Sequence, residues 1–260
     1  MGFTRTRMNY PIYDPSTDGS LGFWVDFSDS TTIQDTTGGS ISNGETMGQI
    51  VTKAGTARTF SQWGATGRPT WVTDVLNGLA MGRFQTQMLA TTTVTGFTSL
   101  SGFSYMQVFV RGVNDGNITF CANMTDIATG FRDIGGFQTG GGSFGGFRIN
   151  SDTFTNIGGN GIGTSPTILA ASIDYANAKA SLFQKGSRYV NAATYGTAGS
   201  TSATEPGAIG YGGIPQISGP AIGVASADTY IGESLAWFSA LTPVQLYATH
   251  DYLRRKWRVG

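Results

Sequence analysis

The chain has 260 residues, 16 basic and 16 acidic side chains, no formal net charge, and charged residues at only 12 % of the sequence. That balance offers no electrostatic footprint for nucleic acid, and 39 % apolar residues, with 16 Phe, 10 Tyr and 5 Trp, exclude the composition of a disordered chain. No apolar run approaches the roughly 18 residues of a membrane-crossing helix, and a single cysteine, Cys121, excludes an intramolecular disulfide framework.

Residues 1–20 show no helical or strand period. They carry Pro11, Asp14, Pro15, Asp18 and Gly19, all turn or extended-chain signals, and are expected to form an extended arm ahead of a domain spanning 21–260. Tyr10-Pro11-Ile12-Tyr13 would let that arm dock. The first residues lack the apolar stretch of a signal peptide. Met1-Gly2 with Thr6 matches a myristoylation pattern too short to carry weight.

Strands are predicted at 21–27, 47–52, 57–63, 79–84, 86–94, 103–111, 117–122, 132–138, 144–149, 168–175, 179–185, 207–211 and 229–238. Each is short, β-branched or aromatic, and bounded by turn residues. Helical stretches do not alternate with them, so a parallel α/β sheet is excluded and two packed antiparallel sheets are expected. Glycine, at 39 residues, is about twice its ordinary frequency and concentrates between 135 and 163. That stretch, and the Ala/Thr/Ser/Gly/Pro-rich stretch 191–223, read first as tight turns and long loops and second as a contact surface for a partner. Cys121 follows Ile118-Thr119-Phe120 and reads as a small buried hydrophobe.

One helix closes the chain. Thr242 and Gln245 form a capping box, Pro243 sits where its missing N–H costs nothing, and Leu246, His250, Leu253 and Trp257 share a face. Arg254, Arg255, Lys256 and Arg258 complement the C-terminal end of the helix dipole.

The chemistry-bearing residues are sparse. The only Glu residues are Glu45, Glu205 and Glu233, and the only histidine is His250, so neither a Ser-His-Asp set nor a His/Cys metal site is expected. His250 lies on the apolar helix face and reads as a satisfied core or subsurface residue. Asp174 is a lone acid expected to end its strand at the turn Ala176-Asn177-Ala178. Asp26, Asp29 and Asp35 cluster, as do Asp126 and Asp133, without the spacing that gives one calcium several oxygen ligands. Trp63, Trp71 and Tyr211 border Gly-containing loops and are candidates for sugar stacking, although core packing is the commoner fate of Trp in a sandwich. No catalytic, metal or cofactor residue is assigned, and the ligand-binding residues stay open.

Several segments in order carry a resemblance. Leu21-Gly22-Phe23-Trp24-Val25-Asp26-Phe27-Ser28-Asp29 looks like an opening "L..W.DASD" strand. Arg68-Pro69, Asn77-Gly78 and Arg83-Phe84 look like "RP…NG…RF". Tyr105–Val110, Leu182–Gly186 and Ala208–Gly213 follow, and the chain ends on Gly232-Glu233, Ala236, Tyr252-Leu253 and Lys256-Trp257. Together, over residues 20 to 258, these resemble concanavalin A-like, laminin-G-like jelly-roll domains of phage and environmental sequences. Trp237 replaces the acidic residue usual after the alanine.

The resemblance implies a two-sheet antiparallel jelly-roll sandwich with one short C-terminal helix. It also implies a non-enzymatic virion protein, since glucanases of this fold need paired acids of the type E-x-D-x-x-E or E-x-D-x-E, absent here. The first expectation is a capsid decoration or cement protein, homo-oligomeric, bound to the major capsid protein or other virion proteins and made in the host cytoplasm without a signal peptide. The alternative is a carbohydrate-binding adhesin module of a head or tail fibre that recognises a cell-surface glycan. Neither needs a cofactor, nucleic acid or membrane.

Overall fold

The structure, a computed structural model, describes residues 12–62, 67–85, 87–91, 99–112, 137–140, 143–146, 164–184, 187–194, 198–199, 208–210, 213–214, 221–222 and 228–259. In chain order its strands are β1 (Leu21–Asp26), β2 (Ile33–Asp35), β3 (Met47–Val51), β4 (Ala54–Gly55), β5 (Thr59–Gln62), β6 (Thr70–Leu76), β7 (Leu79–Phe84), β8 (Met88–Thr91) and β9 (Gly102–Arg111), then β10 (Phe137–Gly140), β11 (Ser143–Gly146), β12 (Thr167–Asp174), β13 (Lys179–Gln184), β14 (Ser187–Thr194), β15 (Ala208–Gly210), β16 (Gly213–Ile214), β17 (Ala221–Ile222) and β18 (Thr229–Trp237). The helix α1 (Pro243–Trp257) closes the chain.

Two antiparallel sheets dominate. The larger runs β14-β13-β12-β9-β18-β1-β4, with β7 also on β18 and β6 on β7; the smaller runs β15-β8-β5-β3-β2. β18 is the pivot. One edge pairs with β9, while the other pairs with β7 over Thr229–Ile231 and with β1 over Glu233–Trp237. The changeover falls at Gly232, where the register against β9 skips a residue and Phe27 donates its N–H to the Gly232 carbonyl at 2.8 Å.

Side-chain alternation sorts the strands' residues into two apolar layers. Phe23, Val25 and Phe27 join Phe103, Tyr105, Phe109, Ile50, Phe60 and Leu89 between the sheets, with Phe23 and Phe60 edge-on at 5.3 Å between centroids. Trp24, Met106, Val108, Leu235 and Trp237 project to the outer face, which α1 covers with Leu246, Leu253 and Trp257. Each fully buried large side chain contributes about 1.5–3 kcal/mol. Strands buried on both faces are rich in apolar residues, as β9 is, with buried Ser104 and Gln107 hydrogen-bonded where they interrupt the run.

The two-sheet antiparallel sandwich with a terminal helix is the architecture expected, and the strands at 21–26, 47–51, 79–84, 102–111, 167–174, 179–184 and 229–237 lie within a residue or so of expectation. β6 and β14 fall outside the strands predicted from the sequence, as do the short β2, β4, β16 and β17. β6 is broken by Asp74 at φ 55°, which skips the β7 register between Val72 and Leu76, so no clean alternation marks it. β14 sits at the edge of its sheet and its sequence SRYVNAAT shows no apolar stripe. The predicted strand 117–122 with Cys121, and most of the Gly-rich stretch 135–163, lie outside the described residues.

The helix opens as its sequence requires. Thr242 Oγ1 accepts from the Gln245 N–H at 3.4 Å, and Gln245 Oε1 accepts from the Thr242 N–H at 2.9 Å. Ser104 and Ser172, buried on neighbouring strands, fasten the approach to it: Ser104 Oγ accepts from Leu241 N–H at 2.8 Å and Ser172 Oγ donates to Leu241 O at 3.0 Å. Residues 12–20 lie against this end of the sandwich. Tyr13 donates to Asp18 Oδ2 at 2.8 Å and packs edge-on against Tyr252 and tilted against Trp237. Asp18 Oδ2 also accepts from Trp237 Nε1 at 2.9 Å.

Candidate functional site

Alternation along β1 and β18 places Trp24, Asp26 and Glu233 on the face that α1 covers, and the antiparallel register makes Asp26 and Glu233 direct partners. Two carboxylates side by side under a helix repel each other and lose their hydration. What compensates is a full set of donors. Asp26 Oδ1 accepts from Ser28 N–H at 3.0 Å and Ser28 Oγ–H at 2.6 Å, and its Oδ2 accepts from Lys256 Nζ at 2.7 Å and Lys53 Nζ at 3.0 Å. Glu233 Oε1 accepts from Trp24 Nε1 at 2.7 Å and Tyr252 Oη at 2.8 Å, and its Oε2 from Lys256 Nζ at 2.7 Å and Trp257 Nε1 at 2.9 Å. Each of the four oxygens therefore has two donors. Lys53 reaches on to Asp29 Oδ2 at 2.7 Å and lies over the Trp24 ring at 4.6 Å.

The electrostatics follow from this layout. Burial and the nearby Asp26 charge push the Glu233 carboxyl above its ordinary range, although Lys256 opposes them. For Asp26 burial acts upward too, but the Lys256 contact and then Ser28 and Lys53 outweigh it and hold the carboxyl low. Asp29, more open, loses less to burial and is held at about 2 by Lys53 and Thr31. Burial and Glu233 push the Tyr252 phenol up, so it stays a donor.

This cluster absorbs the acids with the most conspicuous chemistry. Asp26 and Glu233 are 1 % and 0 % exposed, so no substrate reaches them as they stand. Asp26 and Asp29 share the Lys53 ammonium. Asp35 instead holds its own turn through Thr37 N–H at 2.7 Å and Gly39 N–H at 2.8 Å, and among the described residues no three His, Cys, Asp or Glu side chains converge. Glu45 caps Ser42 N–H at 2.6 Å. Asp174 ends β12 and caps Asn177 N–H at 3.1 Å, as expected. Trp71 is a core residue, 7 % exposed, donating Nε1–H to Phe27 O at 2.7 Å. Trp63, Tyr211, Glu205, Asp126 and Asp133 lie outside the described residues.

His250 is half-buried on α1, as a subsurface residue should be, but among the described residues its Nε2 has no hydrogen-bond partner, which differs from the satisfied residue expected. Burial, and secondarily Arg254, lower its pKa to about 4 against a weaker pull from Asp251. The unfolded chain then binds a proton near pH 6.5 that the folded chain refuses until about pH 4. Stability attributable to neutral His250 is complete above pH 6.5 and is lost as pH falls towards 4, by a total on the order of 3 kcal/mol. Urea titrations across that window should show the loss, and His250→Gln should flatten it; parallel curves would show that His250 does not titrate there.

An open cleft of about 320 Å³ lies between residues 12–18 and α1. Tyr13, Trp237 and Leu241 line it, with Asp14, Thr17 and Gln245 supplying polar groups. Ile12 and Val244, 79 % and 56 % exposed, stand at its rim. An aromatic ring beside a carboxylate and a carboxamide is the equipment for stacking on a sugar and binding its hydroxyls.

No protein-family model and no curated protein matches the chain. Its backbone is similar to solved receptor-binding structures. The binding domain of botulinum neurotoxin DC in complex with SialylT superposes with a TM-score of 0.60 at 7 % identity, covering 90 % of this chain and 52 % of that one. A structure of botulinum neurotoxin type C, whose cell entry depends on interaction with two ganglioside molecules, gives 0.56 at 10 % identity over 78 % of this chain and 48 % of that one. The type G receptor binding domain gives 0.57 at 7 % identity, over 89 % and 51 %. The chain thus spans about half the length of these structures. At such identities the likeness is one of fold: a β-sandwich shared with domains that bind receptors.

Proposed function

We propose that the chain is a non-catalytic recognition module that binds a cell-surface glycan through the jelly-roll sandwich. The observation that carries the reading is the shared fold over 90 % of the chain with a toxin binding domain solved with SialylT. The acids support it from the other side, because the adjacent pair Asp26 and Glu233 is sealed beneath α1. The cleft beside Tyr13 is the first place for a sugar, with Asp14 and Gln245 as hydroxyl partners. The resemblance to phage domains supports a head or tail fibre as the setting of such a module, where many copies would turn weak single contacts into firm attachment.

A glycan array probed with the folded full chain should give saturable binding to one glycan group, reduced by Asp14→Ala. A blank array from folded protein would overturn the glycan reading. Binding of the same protein to phage shells that lack it would then favour the second reading, a capsid decoration protein held by the major capsid protein, which rests on the sequence resemblance.

A further inference from the structure

Lys256 is the side chain that Asp26 and Glu233 have in common. Its Nζ is 2.7 Å from Asp26 Oδ2 and 2.7 Å from Glu233 Oε2. The two carboxyl groups are all but sealed from solvent, and Trp24, Trp257 and Tyr252 close around them. In water an ammonium and a carboxylate only pair, because hydration stabilises both ions. Desolvation removes that protection and raises the reactivity of a lysine amine. We propose that Lys256 and Asp26 condense within the folded chain to form an intramolecular isopeptide bond, with Glu233 as the proton carrier.

The arrangement supplies each part of the reaction. Glu233 Oε2, 2.7 Å from Nζ, takes one proton from the Lys256 ammonium; burial and the Asp26 charge make it a stronger base than an ordinary carboxylate. The freed amine attacks Cγ of Asp26. Negative charge then gathers on Oδ1, where the Ser28 N–H and Oγ–H already point at 3.0 and 2.6 Å, as an oxyanion hole requires. The Cγ–Oδ2 bond breaks while the Cγ–Nζ bond becomes an amide. Oδ2 departs as water with two protons, one returned by Glu233 and one from the nitrogen. Lys53 Nζ, 3.0 Å from Oδ2, steadies the departing oxygen. An ammonium and a carboxylate become one amide and one water, with no oxidant or other reactant.

The bond would join the end of the first strand, β1, to the last turn of α1. A pull applied at the two ends of the chain would then pass through the covalent link and bypass the sandwich, a useful property in a module on the outside of a particle.

Intact-mass spectrometry of the natively folded full chain should find it lighter by one water, and a tryptic digest should contain a branched peptide linking Asp26 to Lys256. Lys256→Arg and Glu233→Gln should each have the uncondensed mass. Full mass in the native chain, with Asp26 and Lys256 recovered in separate peptides, would overturn the proposal and leave plain ion pairs. A water lost elsewhere, such as at a cyclised aspartate, would overturn it equally. The native chain alone decides the matter, so a variant that fails to fold does not obscure the answer.

Discussion

Glu233→Ala is expected to be the most damaging single change near α1, costing about 3–5 kcal/mol, the range for removing one partner of a buried ion pair. The carboxylate accepts from Trp24, Tyr252, Trp257 and Lys256. Its removal leaves two indole N–H groups and a phenol buried without an acceptor, each costing about 1–3 kcal/mol unless water enters, and deprives Lys256 of one of its two carboxylates. The three neutral donors lose their acceptor whether or not Lys256 is condensed with Asp26. For a domain of this size the melting temperature should fall by roughly 10 °C or more. Calorimetry on the purified variant checks this; a shift of only a degree or two would mean that the cluster is solvated and contributes little. Glu233→Gln keeps the volume and one acceptor oxygen, and should fall between the variant and the parent.

Trp257→Ala is the second large effect. The indole is wholly buried and lies on Gly232, where an added Cβ would come within 2.5 Å of Cη2. Truncation costs about 3–5 kcal/mol through lost transfer energy and the cavity left behind. The same contact predicts a sign. Gly232→Ala alone should destabilise by roughly 1–3 kcal/mol, since the ring is held by its bond to Glu233 and cannot move aside freely. In the Trp257→Ala background the added methyl meets open space, so the second substitution should cost much less. Chemical denaturation of the four proteins in the cycle measures the coupling; strict additivity would show that the ring does not press on Gly232.

Both predictions involve residues whose roles divide between what is local and what is not. Thr242, Pro243 and Gln245 announce the helix start because capping is settled within four residues. Leu246, Leu253 and Trp257 announce its buried face because a helix repeats every 3.6 residues. Alternation in Phe23-Trp24-Val25-Asp26-Phe27 separates the inner from the outer layer because a strand repeats every two. Such features held in the structure. β6 escaped because Asp74 breaks the alternation, and β14 because an edge strand has little need of it.

The fate of the charged groups was not local. Lys256 reads as one of several cations that complement the helix dipole, yet Arg254 and Arg255 pair with Asp251 while Lys256 turns inward to Asp26 and Glu233. Glu233 reads as one of three glutamates with no paired acid in the sequence, yet its partner Trp24 is 209 residues away. Trp71 reads as a candidate sugar platform, with core packing the commoner fate, until β6 pairs with β7. Composition, periodicity and capping thus determined that this chain is an antiparallel sandwich closed by one helix. Which acids, lysines and indoles meet depends on strand order and register, and only the tertiary structure decided it, because those contacts join residues whose separation along the chain leaves no periodic mark.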